Sequence, residues 1–142
     1  RCVHPTTVSD IMCSMLRTKS MRSPVEATDG LRVLVARFRG HGVPRGAYDV
    51  WMPNLAPSER LLKGFLKGTI GWPAFRTSYR AQLAEPAPID AENATIKNHG
   101  QRHTLRLLRY LAEREDVTLL CHCPEDEPHC HRHVLRALIE KA

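Results

Sequence analysis

Residues 117–121, VTLLC, carry no charge and one polar side chain, and they stand between two stretches with helical spacing. A run this short and this apolar reads as a strand buried on both faces, and such strands belong to parallel sheets covered by helices. Upstream, from about 98 to 114, Leu105, Leu108, Leu111 and Ala112 repeat at steps that put them on one helix face. Downstream, from about His129, the same is true of Val134, Leu135, Leu138 and Ile139. Helix, strand, loop, helix is α/β grammar. The expected fold is a single α/β domain, a compact three-layer arrangement with a mostly parallel central sheet flanked by helices. A chain of 142 residues suits one hydrophobic core.

The remaining chain supplies partners for that strand. LRVLVARF at 31–38 is β-branched and aromatic behind Gly30, MLRTKSM at 15–21 reads as a first strand, and DVWM at 49–52 as a short one. Helices are expected at about 57–67, where APSERLLKGFLKG opens on proline and serine, and at 72–84, where Trp72, Phe75, Tyr79 and Leu83 recur at steps of three and four. Residues 1–14 read as an N-terminal arm ahead of a domain at 15–142. If 31–38 and 117–121 are parallel neighbours, the loops RGHGVPRG and HCPEDEPHCHR leave the same sheet edge. Ligands of open α/β sheets collect at that edge.

The net charge of +6 favours anionic partners, either a phosphate-bearing small molecule or nucleic acid. Arg17, Lys19, Arg22, Arg32, Arg37, Arg39 and Arg45 make the first third basic. No apolar run reaches about 18 residues, so a membrane-spanning helix is not expected. Five cysteines, an odd number with three inside ten positions, do not form a spaced disulfide framework, and a reducing, cytoplasmic setting is expected.

Cys121, Cys123 and Cys130, with His122, His129, His131 and His133, crowd into the turn after the 117–121 strand. Three readings stand side by side. In the first, a thiol is reactive: Cys130 lies at a helix start beside His131 and Arg132, Cys121 faces the same end, and a helix terminus with cations lowers a thiol pKa. Cys121, Cys130, His131 and Arg132 are then catalytic, no cofactor is required, and Arg37, Arg39, Arg45 and Arg132 bind an anionic substrate. In the second, Cys121, Cys123, Cys130 and His129, or His131 in its place, hold zinc or iron; Cys121 and Cys123 point to one side of a continuing strand, but a Cys-x-Cys pair is not the usual zinc spacing. In the third, Cys130 shares a helix face with Val134 and Leu138 and is simply core. Glu125 and Glu127 are candidate bases in the intervening turn. Cys2, His4 and Cys13 form a weaker metal candidate in the arm, and His41, His99 and His103 stand alone. A binding module that uses the basic rim without chemistry is the alternative to an enzyme.

The blocks LRVLVARF, WMPNLAPSERLLKGFL, WPAFRTSYRAQL and VTLLCHCPEDEPHCHRHVL resemble the bacterial family known as domain of unknown function 488, and within it the YeaO-like branch, over roughly residues 15–140. The resemblance matches Arg37, Trp51, Ala56 to Ser58, and the Trp72, Phe75, Tyr79 helix. The strand cysteine and Cys-His-Arg of the wider family match Cys121 and Cys130, His131, Arg132. It implies an architecture and a site but no reaction. Where YeaO-like members carry an acidic residue, this chain has Ala36. The placement of Cys121 also resembles that of the catalytic cysteine in rhodanese and cysteine-phosphatase folds, although Arg132 follows eleven positions later, a longer loop.

Overall fold

The computed structural model describes residues 14–44, 46–85 and 100–142. Four parallel strands form one sheet in the order β1-β4-β2-β3: β1 Leu16–Ser20, β2 Leu31–Leu34, β3 Val50–Trp51 and β4 Val117–Cys121. The helices are α1 Glu59–Leu66, α2 Trp72–Ala84, α3 Arg102–Ala112 and α4 His131–Lys141. β4 pairs with β1 on one side, Leu16 opposite Val117, and with β2 on the other, Leu34 opposite Leu120. Every residue of β4 is buried, as its composition requires.

Side chains on the two sheet faces differ in chemistry. Val33, Val117 and Leu119 join Leu61 of α1, Phe75, Tyr79 and Leu83 of α2, Leu105 and Leu108 of α3, and Val134, Leu135 and Ile139 of α4 in one core. All four helices therefore contribute to a single apolar layer. Alternation sends Lys19, Arg32, Thr118, Leu34 and Leu120 the other way. That side is closed by the one-turn 3-10 segment Ala27–Asp29 and the 46–49 loop: Thr118 donates to the Asp29 carbonyl at 2.7 Å and Arg32 Nε to the Ala47 carbonyl at 2.9 Å. The α/β class and parallel sheet are as expected, but the third layer is made of loops rather than helices.

Element ends have local causes. Gly30 has φ 62°, and a Cβ there would lie 2.0 Å from the Asp116 carbonyl oxygen, which instead accepts the Leu31 amide at 2.9 Å. Only glycine lets β2 start against the residue preceding β4. α1 begins after Ser58, whose hydroxyl accepts the Leu61 amide at 3.3 Å. α3 begins at Arg102 rather than 98 because the Gly100 and Gln101 amides donate back to the Gln82 and Leu83 carbonyls, each at 2.8 Å. Residues 98 and 99, like most of the 1–14 arm, lie outside the described residues.

Tyr79 ties two layers together. Its buried hydroxyl donates to the Leu55 carbonyl at 2.6 Å. Tyr79→Phe is expected to leave that carbonyl unpaired and cost about 1–2 kcal/mol, read as a lower urea midpoint. An unchanged midpoint would show that water replaces the hydroxyl without loss.

Candidate functional site

β4 ends at Cys121, the chain turns through residues 122–130, and α4 starts at His131. Cys130 is extended, φ −124° and ψ 138°, which turns the chain into the helix and brings its sulfur back over the strand end. The Sγ atoms of Cys121 and Cys130 and one ring nitrogen of His131 all lie within 4.8 Å of one another, and all three residues are buried. Cys121 Sγ is 4.0 Å from His131 Nδ1 and 4.0 Å from Cys123 Sγ. All three cysteines are free thiols. β4, the turn and α4 thus deliver one soft donor each, with Cys123 half-buried beside them.

The imidazole is oriented from behind. His131 Nε2 lies 2.7 Å from the Val35 carbonyl, which can only accept, so the ring proton sits on Nε2 and Nδ1 presents its lone pair to Cys121. Burial lowers the His131 pKa, and the Arg132 and Arg37 charges push the same way against the Val35 carbonyl. The ring is therefore neutral near pH 7. Tyr79 meets it edge-on, centroids 5.6 Å apart at 83°.

The thiols are not equivalent. Hydrogen bonds from Cys123 and Cys130, then from the Cys123 and His122 amides, hold the Cys121 thiol well below the usual cysteine value against the effect of burial. Cys130 is pushed up by the Cys121 and Cys123 sulfurs and by burial, and Cys123 is raised chiefly by Cys121. The shift is thus downward at Cys121 and upward at its two sulfur neighbours.

Other residues singled out in the sequence take different places. His129 is not part of the group: its ring stacks on Trp72, centroids 4.9 Å apart at 13°. His131, two residues on, stands where a fourth ligand was expected of His129. Arg132 is fully buried with its terminal nitrogens given to backbone carbonyls, NH1 to Cys123 at 3.2 Å and NH2 to Pro124 and Glu125 at 3.0 Å. Arg37 similarly donates to the Pro57 and Ala56 carbonyls at 2.8 and 3.0 Å. Both arginines act on His131 through their charge, but these donors hold loops instead of an anion. Arg39 is exposed in the loop where the Phe38 carbonyl lies 3.0 Å from His122 Nε2, and Arg45 lies outside the described residues.

Both candidate bases of the turn, Glu125 and Glu127, are engaged by the chain around them. Glu125 accepts the Ser20 amide at 2.9 Å and the Ser23 hydroxyl, and Glu127 accepts the His129 amide at 3.0 Å. Sequence spacing did not show two members of the surroundings, the Val35 carbonyl that sets the tautomer and the Trp72 ring that removes His129. A main-chain oxygen leaves no trace in residue type. The Trp72 position had a signal, its place at a helix start on the same sheet edge.

A parallel sheet whose central strand ends in a buried cysteine, met there by a helix with Cys130 at its cap and His131 at its start, defines a small α/β protein with a strand-end thiol and imidazole centre. Within that class the chain belongs to the family described as the active DUF488-N3 subclade, whose model matches residues 16–142. A curated relative, the uncharacterized protein YeaO of Escherichia coli (strain K12), is 33% identical over 110 residues, covering 68% of this chain and 96% of that protein. No solved structure matches the chain. Among the described residues no helix is long and apolar enough to cross a membrane.

Proposed function

We propose that this protein is a thiol-dependent enzyme in which Cys121 is the nucleophile and the substrate is anionic. The observation that carries the reading is the position of Cys121 Sγ, at the carboxyl end of a central parallel strand and 4.0 Å from an imidazole nitrogen whose lone pair is turned toward it. A cysteine used only for packing has no need of amide and thiol donors around its sulfur; a thiolate does. His131 is placed to take the proton from an incoming thiol or water and return it to a leaving group. The anionic substrate class is supported by the net charge of +6 and by exposed Arg39 in the loop beside His122. The family's description as an active subclade agrees with a catalytic reading.

Alkylation tests it. In metal-free protein, iodoacetamide is expected to label Cys121 at a rate nearly flat between about pH 6 and 8, because a thiolate below its usual pKa near 8.5 is already fully ionised there. An ordinary thiol gains about tenfold per pH unit over that range. The shape of the profile does not depend on how hindered the sulfur is, so limited access slows the rate without disguising the result. Inorganic phosphate is expected to slow the labelling if the rim is anion-binding. A tenfold rise per unit on Cys121 would sink the nucleophile.

A further inference from the structure

We infer that Cys121, Cys130 and His131 together bind a soft divalent metal ion of the zinc class. Each of the three residues can offer an electron pair to a cation. His131 Nδ1 has only a lone pair because Nε2 keeps its proton for the Val35 carbonyl, and thiols donate weakly. Three such groups converging within 4.8 Å in a buried place suit a soft cation.

The distances suit one. Zinc bonds of about 2.3 Å to sulfur and about 2.0–2.1 Å to nitrogen put tetrahedral ligands roughly 3.5–3.8 Å apart. The Cys121 Sγ to His131 Nδ1 separation of 4.0 Å needs to close by only a few tenths of an ångström. Two sulfurs and an imidazole without a carboxylate select zinc over magnesium, calcium or manganese. The contact of Nε2 with a backbone carbonyl is the outer-shell arrangement that ligating histidines use to fix ring and tautomer. Cys123, half-buried with its sulfur 4.0 Å from that of Cys121, is a candidate fourth ligand that would have to move toward the other two.

The inference goes beyond the thiol reading: it uses the same sulfurs but is argued from where the three donor atoms stand. Metal binding would hold Cys121 as a thiolate near neutral pH. The two ideas fail separately, because alkylation is scored on metal-free protein and binding on titrated protein.

The experiment is titration of the chelated, reduced full chain with cobalt(II), followed by zinc. One equivalent of cobalt is expected to give the intense visible bands of tetrahedral coordination with thiolate charge transfer, and zinc is expected to abolish them. Cys130→Ser and His131→Gln are each expected to weaken binding by at least about a hundredfold, since loss of even an outer-shell partner costs 10–100-fold. His129→Gln, on the ring stacked against Trp72, is expected to bind as the parent does. Circular dichroism of each variant separates lost binding from lost folding, and the parent titration stands alone if a variant does not fold. Absence of cobalt uptake, a weak octahedral spectrum, or loss of binding in His129→Gln with retention in a folded His131→Gln would overturn the site.

Discussion

Arg132→Ala is expected to destabilise the fold by about 3–5 kcal/mol, enough to unfold much of a domain whose whole stability is of order 5–15 kcal/mol. The guanidinium is fully buried and spans the Cys123, Pro124 and Glu125 carbonyls. Removing it strands three acceptors that point inward, each worth about 1–3 kcal/mol if it stays dry. Partial rehydration of the turn, and relief of the buried Nε that has no partner, hold the total below the sum. Glu125 adds to the loss, because the Arg132 charge helps keep its carboxyl ionised against burial and the hydrogen bonds from Ser20 and Ser23 depend on that state. Lysine is not expected to rescue the change, since one ammonium cannot reach three carbonyls in the plane the fork serves. Urea denaturation of Arg132→Ala and Arg132→Lys measures both statements. A loss under about 1 kcal/mol would show that the turn repairs itself and that Arg132 is free for another task.

That result bears on the site directly. The 122–130 turn carries Cys123 and positions Cys130, so the geometry of the sulfur group depends on what holds the turn. Arg132 holds it from inside, Glu125 ties it to the end of β1, and Trp72 packs on it through His129. An arginine next to a cysteine and a histidine looks like part of a reactive constellation when only residue types are seen. Its hydrogen bonds make it the brace on which that constellation is built.

The same distinction explains which parts of the molecule could be read in advance. β4 and α2 have the bounds that periodicity gives them, because each is an uninterrupted pattern with one environment. β2 is shorter than the apolar run that announced it: the ladder ends at Leu34, and Val35 continues with a single bond to Leu120 before Arg37 turns toward Pro57. Apolar residues continue past the strand because the core does. The convergence of Cys121 and Cys130 was legible, since strand ends and helix starts share an edge in any parallel sheet. The choice between His129 and His131 was not, for it turns on whether residue 130 is extended or helical. The two charged side chains given over to carbonyls, Arg37 and Arg132, show the general limit. Sequence displays donors, whereas the acceptors that claim them are backbone atoms placed by the fold.

Asp29→Asn is the second large change, on the opposite face of the sheet. Asp29 is buried and meets Lys19 Nζ at 3.0 Å and Arg32 NH1, while its Oδ2 accepts the Glu26 amide at 3.0 Å. Lys19 keeps Glu26 at 2.8 Å and the Pro24 carbonyl, but Arg32 NH2 is buried without a partner even with Asp29 present. Neutralising the carboxylate leaves one buried cation and one nearly buried cation facing each other, and breaking a buried pair in this way costs about 3–5 kcal/mol. The pH dependence has a definite sign. Burial alone would raise the Asp29 pKa, but the Glu26 amide, Lys19 and Arg32 outweigh it and hold it below the usual carboxylate value. A lowered folded pKa contributes stability that is complete above about pH 5 and is lost as pH falls through about 4 toward the folded value. Lys19 is shifted the other way, raised by Glu26 and Asp29 against burial, so its contribution is present below about pH 10 and is lost only above it. Parent protein is therefore expected to lose stability between about pH 5 and 3 more steeply than Asp29→Asn, and the two urea midpoints are expected to converge there. Parallel midpoints across that range would show that Asp29 does not carry the acid transition.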